Sequence, residues 1–317
     1  MDNDNHIKKL TEIAYLYYID GMSQSQIAKE FSISRSMVSV MLTEAKAKGI
    51  VKIEIKDFDL YCFDLQRDLE RIFQLKKAIV VPTLSKSEES ELRQLSTAAA
   101  NFLNQILDND MTIGVSWGRT MHAVAKRIQS VNKKDLLITP LVGGAGNEMN
   151  YLHSNVIADL IAKKLNGTSL CLYAPVFVSS REVRDALFDD KIIKGVIDKG
   201  ESADIALVGI GTIKNSTMID EGSLHIEDRE ELLVHGAVGD INSWFFDKNG
   251  QYIDALITEK TIAINRKKLS KIPYIIAVAG GLKKIEAIHA ALKGKLMNVL
   301  VTDESVARTI LKEYRNS

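Results

Sequence analysis

The chain has only two cysteines in 317 residues, Cys62 and Cys171, and both sit among apolar neighbours. That scarcity excludes a disulfide framework and suits reduced thiols in a cytoplasm. Net charge is absent as well, because 41 Lys and Arg balance 41 Asp and Glu. A neutral chain is no polycation, so any affinity for nucleic acid must come from local placement and from symmetry between copies. The chain has no long hydrophobic run, and its start, MDNDNHIKKL, is polar. Neither a signal peptide nor a membrane span is therefore expected. Low-complexity tracts and internal repeats are also missing. The six histidines (His6, His122, His153, His225, His235 and His289) show no metal-ligand spacing among themselves or with the cysteines. No metal, no cofactor and no nucleophile motif such as G-x-S-x-G is expected.

What is present is an ordinary globular composition, 46% apolar, spread over a length that predicts two domains. The most informative stretch is Ser23–Gly49, SQSQIAKEFSISRSMVSVMLTEAKAKG. Ser23 can cap a helix, with Gln26 completing a capping box. Ile27, Ala28 and Phe31 then share one helical face. Ser34 can cap a second helix whose expected inner face is Met37, Val38, Met41, Leu42 and Ala45, and Gly49 ends it. Small Ala28 opposite Val38 lets two helices cross closely, and Ile33 plugs the corner. The turn position often held by glycine is Ser32, a site that calls for a positive φ. This is a helix-turn-helix pattern. Its second helix offers Arg35, Ser36, Ser39 and Val40 to base edges, and Ser23, Gln24, Ser34 and Lys46 are further candidate DNA contacts, with Lys48 and Lys52 also placed for phosphates. From Ser23 to Lys56 six basic residues face three acidic ones, which supports that reading mildly.

In chain order, a supporting helix is expected from about Ile7 to Asp20, ended by Gly21. IVKIEI (50–55) alternates as a strand does and suggests a wing beside the DNA. A linker helix follows over 59–75, with Leu65, Leu69, Ile72 and Phe73 as its stripe. It can pack on the next domain or pair with a second copy, placing two reading heads one DNA turn, roughly 34 Å, apart. Three segments result: a helix-turn-helix domain (1–56), a linker or dimerisation helix (57–76) and an effector domain (77–317). In the last, strands at 78–81, 112–116, 136–142, 169–174, 205–210, 261–264, 274–279 and 299–302 alternate with helices near 89–107, 119–130, 153–165, 181–199, 283–293 and 304–313. That alternation means an α/β fold with a parallel sheet covered on both faces, whose ligands bind beyond the strands' carboxyl ends.

Candidate effector residues therefore sit at strand ends. Gly114, Ser116, Trp117, Gly118, Arg119 and Thr120 run from a strand into a helix start, a natural anion site. Trp117 can stack on a sugar ring or lie in the core. Gly143 and Gly144 would let backbone N–H groups approach a phosphate. Gly211 ends another strand. Gly236-Ala237-Val238-Gly239-Asp240 reads as a flexible turn with a lone acid that can accept sugar hydroxyls. Lys284, after Gly280-Gly281, can reach a phosphate or stay solvated. The dinucleotide and P-loop spacings are absent.

The head sequence SQSQIAKEFSISRSMVSVML, together with GVSWGRT, PLVGG, ADIALVGIG, GAVGD, FFD, AVAGG with Lys284, and VLVTDE, closely resembles the SorC-type sugar-responsive transcription regulators, in consistent order from about Ile13 to the C-terminus. The resemblance implies a Rossmann-like effector domain similar in fold to sugar-phosphate isomerases and deaminases. It also implies a phosphorylated sugar bound by Gly114 to Thr120, Gly143, Gly144, Asp240 and Lys284, and assembly as a homodimer or homotetramer on double-stranded operator DNA. Asn147 to Leu152 match no pattern and are expected to help select the sugar. The expected function is a ligand-controlled, non-enzymatic regulator of a carbohydrate-utilisation operon. The alternative is a sugar-phosphate isomerase- or deaminase-like enzyme with an attached DNA-binding head, which would need an acid/base pair that the sequence does not display. A regulator driven by a protein partner is a third option.

Overall fold

The structure is a computed structural model that describes residues 2–52, 62–84, 87–144, 150–214 and 224–316. The chain forms two compact units, Met1–Asp57 and Phe58–Ser317.

Among its described residues the first unit has three helices: α1 (Asp2–Tyr18), α2 (Gln24–Glu30) and α3 (Arg35–Ala47). α1 begins earlier and ends sooner than its apolar stripe predicts. Ser23 and Gln26 form the full capping box on α2, and the Ser34 hydroxyl accepts from the Met37 amide at the start of α3. Leu10, Ile13 and Ala14 of α1, Ile27 and Ala28 of α2, and Val38, Met41, Leu42 and Ala45 of α3 close the core, with Ile33 partly buried against them. Met37 is a correction: it is 50% exposed. The buried set on α3 has spacing i, i+3, i+4, i+7, and Met37 lies one residue, about 100°, off that stripe. Ser32 takes the left-handed conformation, with φ 53°. Most of the strand expected over 50–55 lies outside the described residues. Ile50 and Val51, which are described, donate back to the Ala45 carbonyl rather than to a ladder.

Among its described residues the second unit is built on a sheet of nine strands: β1 (Lys77–Val81), β2 (Thr112–Val115), β3 (Leu137–Pro140), β4 (Thr168–Ser169), β5 (Ile205–Thr212), β6 (Ala237–Ile241), β7 (Trp244–Asp247), β8 (Tyr274–Val278) and β9 (Val299–Asp303). Seven run parallel in the order β1-β9-β8-β5-β2-β3-β4, while β6 and β7 form an antiparallel hairpin on β5. Successive residues of β5 serve opposite faces: Ala206, Val208 and Ile210 join one core cluster, Ile205 and Leu207 the other. One face is covered by α4 (Phe63–Phe73), α5 (Lys191–Glu201), α6 (Ile285–Lys293) and α7 (Glu304–Arg315), the other by helices 88–106, 119–127 and 154–165. This is the parallel, doubly covered sheet that the alternation predicts.

α4 is built into this unit. Leu69 and Phe73 are buried, and each such side chain is worth about 1.5–3 kcal/mol. Gln66 and Glu70 also accept from the amides of Val80 and Ala78 (3.1 and 3.0 Å), capping the outer edge of β1 with side-chain oxygens. Cys62 is buried just before the helix, and burial pushes its thiol up to about 11, so it is unreactive at neutral pH.

Three expectations are corrected. Of 169–174 only Ser169 is in a strand, because the chain leaves the edge of the sheet there. Residues 261–264 make single bridges to Val142 and Phe177, not a strand. The Gly236–Asp240 stretch is not a flexible turn: after Gly236 it is strand β6, bonded to β5 on one side and β7 on the other.

Candidate functional site

In the sheet order, β3 and β4 lie on one side of β2, and β5, β8 and β9 lie on the other. The chain therefore reverses its direction of winding between β2 and β5, and the crevice beyond their carboxyl ends is where such sheets take ligands. Sequence-predicted residues converge there. After β2 come Ser116, Trp117, Gly118, Arg119 and Thr120. Gly211 lies at the end of β5. Asp240 is paired with Gly211 across the antiparallel β5–β6 ladder. Lys284 lies at the start of α6 and donates to the Ile210 carbonyl (2.8 Å).

Asp240 is 7% exposed. Its Oδ2 accepts from the Ser243 amide (3.1 Å). Its Oδ1 occupies the space that a side chain at position 211 would need, since a Cβ there would fall 2.0 Å from it. Gly211 thus makes room for a carboxylate. Burial raises the Asp240 carboxyl to about 6, even though the Ser243 N–H and the Lys284 ammonium pull it down. Burial lowers Lys284, with Arg119 acting in the same direction and Asp240 and Glu91 opposing. Glu91 is raised by burial, then by Asp303 and Glu88. Asp240, Lys284, Arg119 and Glu91 are therefore one electrostatic group. Glu91 was not legible in the sequence, where it is one acid in the run Glu88-Glu89-Ser90-Glu91.

The helix Arg119–Arg127 begins at Gly118, whose φ of 105° suits glycine and which offers no capping side chain. The first-turn amides thus have no side-chain cap and face the carboxyl end of β2, with Arg119 exposed beside them. Trp117 is buried in a third cluster with Val142, Val176, Leu232 and Phe245, and its indole N–H donates to Ser243 Oγ (3.3 Å). Of its two expected roles, the structure has the core one.

The reason given for Gly143 and Gly144 also changes. Both amides are engaged inside the protein, Gly143 with Ile262 O and Gly144 with Ala174 O (both 2.9 Å), so neither is available to a phosphate. A Cβ at 143 would fall 2.3 Å from the Pro175 carbonyl oxygen, and one at 114 would fall 2.2 Å from a Leu141 methyl. These glycines permit close packing under the site. Residues 147–149, half of the stretch expected to select the sugar, lie outside the described residues. The expectation that no nucleophile motif is present is corrected: Gly114-Val115-Ser116-Trp117-Gly118 spells G-x-S-x-G. Ser116 is buried, and no hydrogen bond joins it to a histidine among the described residues, so the pattern lacks its general base.

In the first unit, Arg35, Ser36, Ser39 and Val40 are exposed, Val40 at 60%, and Gln24 is half-buried. The Ser23 and Ser34 hydroxyls work as caps. Lys46 lies over the Tyr18 ring (5.6 Å), which ties it back to α1. Glu44 accepts from His6 and Lys48, which lowers its carboxyl. Among the described residues no helix is long and apolar enough to cross a membrane, and no group of three or more His, Cys, Asp or Glu is placed to hold a metal.

A helix-turn-helix head together with an α/β unit that gathers charged groups at its switch point defines a ligand-responsive transcription regulator. Residues 60–312 match the family model described as "Putative sugar-binding domain". The chain is 32% identical over 302 residues to the deoxyribonucleoside regulator of Bacillus subtilis, covering 95% of this chain and 96% of that one. The crystal structure of the full-length sorbitol operon regulator SorC from Klebsiella pneumoniae superposes with a TM-score of 0.79 at 29% identity, covering 96% of this chain and 98% of that one. A DeoR family transcriptional regulator from Listeria monocytogenes is 38% identical with a TM-score of 0.73, covering 79% of this chain and 99% of that one. The chain belongs to the SorC-type family of sugar-responsive transcription regulators.

Proposed function

We propose that the effector is a phosphorylated sugar bound beyond β2 and β5, and that it controls binding of a homodimer or homotetramer to double-stranded operator DNA in the cytoplasm. The observation that carries this is the buried Asp240 beside Lys284, with Arg119 among the charges facing that lysine. A carboxylate with one oxygen hydrogen-bonded and the other at the crevice suits vicinal hydroxyls. Two cations beside uncapped helix amides suit a phosphate dianion. In the head, Arg35, Ser36, Ser39 and Val40 read bases while Gln24 and Lys46 hold the backbone. Helix α4 and the 57–76 segment around it supply the contact between copies.

Binding controls DNA affinity only if the effector favours one state of the protein over another, and a tenfold change needs about 1.4 kcal/mol of coupling. No chemical step is assigned: among the described residues no hydrogen bond joins Ser116 to a histidine, and the shifts of Asp240 and Lys284 are those of a buried charge pair that can bind a ligand without turnover. The test is a thermal-shift and operator-binding screen against sugars and their phosphates. A hit at 100 times its dissociation constant adds about 2.7 kcal/mol. It should be lost in Lys284→Ala and weakened in Arg119→Ala. A panel that changes neither melting nor DNA affinity points instead to a protein partner. Turnover of a sugar phosphate that disappears in Asp240→Asn would restore the enzyme reading.

A further inference from the structure

The hairpin turn between β6 and β7 is made by Asn242 and Ser243, both in the left-handed conformation, with φ 52° and 63°. Neither is glycine, and both are almost fully buried, at 2% and 0% exposed. A two-residue hairpin turn takes that conformation at both positions, and since it is disfavoured for side-chain-bearing residues, a buried serine where glycine is usual needs a reason. Their hydrogen bonds supply one. The Ser243 amide donates to Asp240 Oδ2 (3.1 Å), and its hydroxyl oxygen accepts from the Trp117 indole N–H (3.3 Å). Asn242 Nδ2 donates to the Leu141 carbonyl at the end of β3 (3.1 Å), which also accepts from the Ile264 amide. One buried turn therefore holds the site's carboxylate, the residue two before Arg119 and the end of the neighbouring strand.

We infer that Ser243 is a positioning residue that couples the hydroxyl-binding half of the site, Asp240, to the anion-binding half, the Gly118–Thr120 helix start. This rests on the effector site proposed above. A glycine at 243 would take the same backbone more easily, but it would leave the indole N–H without its acceptor. A buried donor without an acceptor is unfavourable, so the Trp117 loop would move to find one. Asn242 locks the turn from the other side. In this arrangement the two ends of the effector are not read independently: fixing the carboxylate fixes the loop that leads to Arg119.

The test uses the full chain with inorganic phosphate as the probe, and sodium chloride at matched ionic strength as the control. Phosphate should raise the melting temperature of the natural protein, and Arg119→Ala should abolish that rise. Ser243→Ala, which touches no phosphate-binding group, should weaken phosphate binding about 3- to 10-fold, the loss of one buried hydrogen bond. Trp117→Phe removes the donor and leaves the turn intact, which guards against a fold defect in the first variant. Once Trp117→Phe is present, adding Ser243→Ala should cost nothing further in phosphate affinity, because the two changes break the same bond. Additive losses would overturn the coupling, as would natural-strength phosphate binding in Ser243→Ala. No phosphate effect on the natural protein would instead overturn the anion site itself, and the inference with it.

Discussion

The proposed reading face of the head and the proposed effector site place their side chains in opposite ways. On the head, Arg35, Ser36, Ser39 and Val40 stand in solvent on a helix whose other face is buried by Val38, Met41, Leu42 and Ala45. At the effector site, the carboxylate is enclosed and its charge is held against its preference. The head needs only rigidity, since DNA supplies the field and the phosphates. The effector site must distinguish a small molecule from water, and enclosure is what makes one carboxylate and one ammonium selective. Stability and function are thus separable on the head and opposed at the effector site.

The largest expected effect sharpens that contrast. An acid raised by burial stabilises the fold fully below its ordinary value of 3.8, and that contribution is lost as pH rises through about 6. The gap corresponds to on the order of 3 kcal/mol, with the attraction of Lys284 already included. Asp240→Asn removes the charge and keeps the shape. At pH 8 without effector, the variant's second unit should melt several degrees above the natural protein, while at pH 4 the two should agree. It should also lose its response to any sugar phosphate. A variant less stable at pH 8 would mean that the carboxylate is held by groups that favour its charge, and the opposition between stability and function would disappear.

The same contrast explains what was legible in the sequence. The head is local chemistry: the caps at Ser23 and Ser34, the small Ala28, and Ser32 in a glycine position all lie within a few residues of what they act on. The error on the helical face of α3, Met37, is a phase error of one residue. The parallel strands were legible because both faces are buried and their runs are continuous. The hairpin β6–β7 was not, because glycines in GAVGD look like a turn, whereas Gly239 is there because a Cβ would fall 2.6 Å from the Gly211 carbonyl oxygen. Gly143 and Gly144 were recognised as special for the wrong reason, since the residues that crowd them, Pro175 and His153, are distant in sequence. Glu91 and Ser243 were missed entirely. Each acts on residues brought near only by folding, and neither belongs to a motif that its own neighbours reveal. Glu70 and Gln66 likewise look like the polar face of an amphipathic helix, yet they cap an edge strand.

A mid-sized effect is expected from the head's second cap. Ser34→Ala removes the acceptor for the Met37 amide and should destabilise the first unit by about 1 kcal/mol. Because α3 carries the side chains proposed to read bases, fraying of its first turn should weaken operator binding as well. The effector's own affinity, measured on the same variant, should not change. An altered effector affinity would show that the two units share their stability, against the separation drawn above.

The smallest effect runs the other way. Ser32 holds φ 53°, which for a side-chain-bearing residue is disfavoured by about 1 kcal/mol. Glycine removes that strain, but it adds freedom to the unfolded chain worth roughly 0.5 kcal/mol. Ser32→Gly should therefore raise the head's stability by about 0.5 kcal/mol, the difference of those two terms. Ser32 is exposed and lies outside the proposed reading face, so operator affinity should stay unchanged or rise slightly as the hairpin stiffens. Chemical denaturation of the first unit resolves the stability change, and a salt titration of operator binding checks the second claim, since a lost phosphate contact would reduce the salt slope by about one. A weaker, less salt-dependent complex would make the Ser32 hydroxyl a backbone contact, and the strained serine would then be one place where the head, like Asp240 in the effector unit, holds an unfavourable state for the sake of binding.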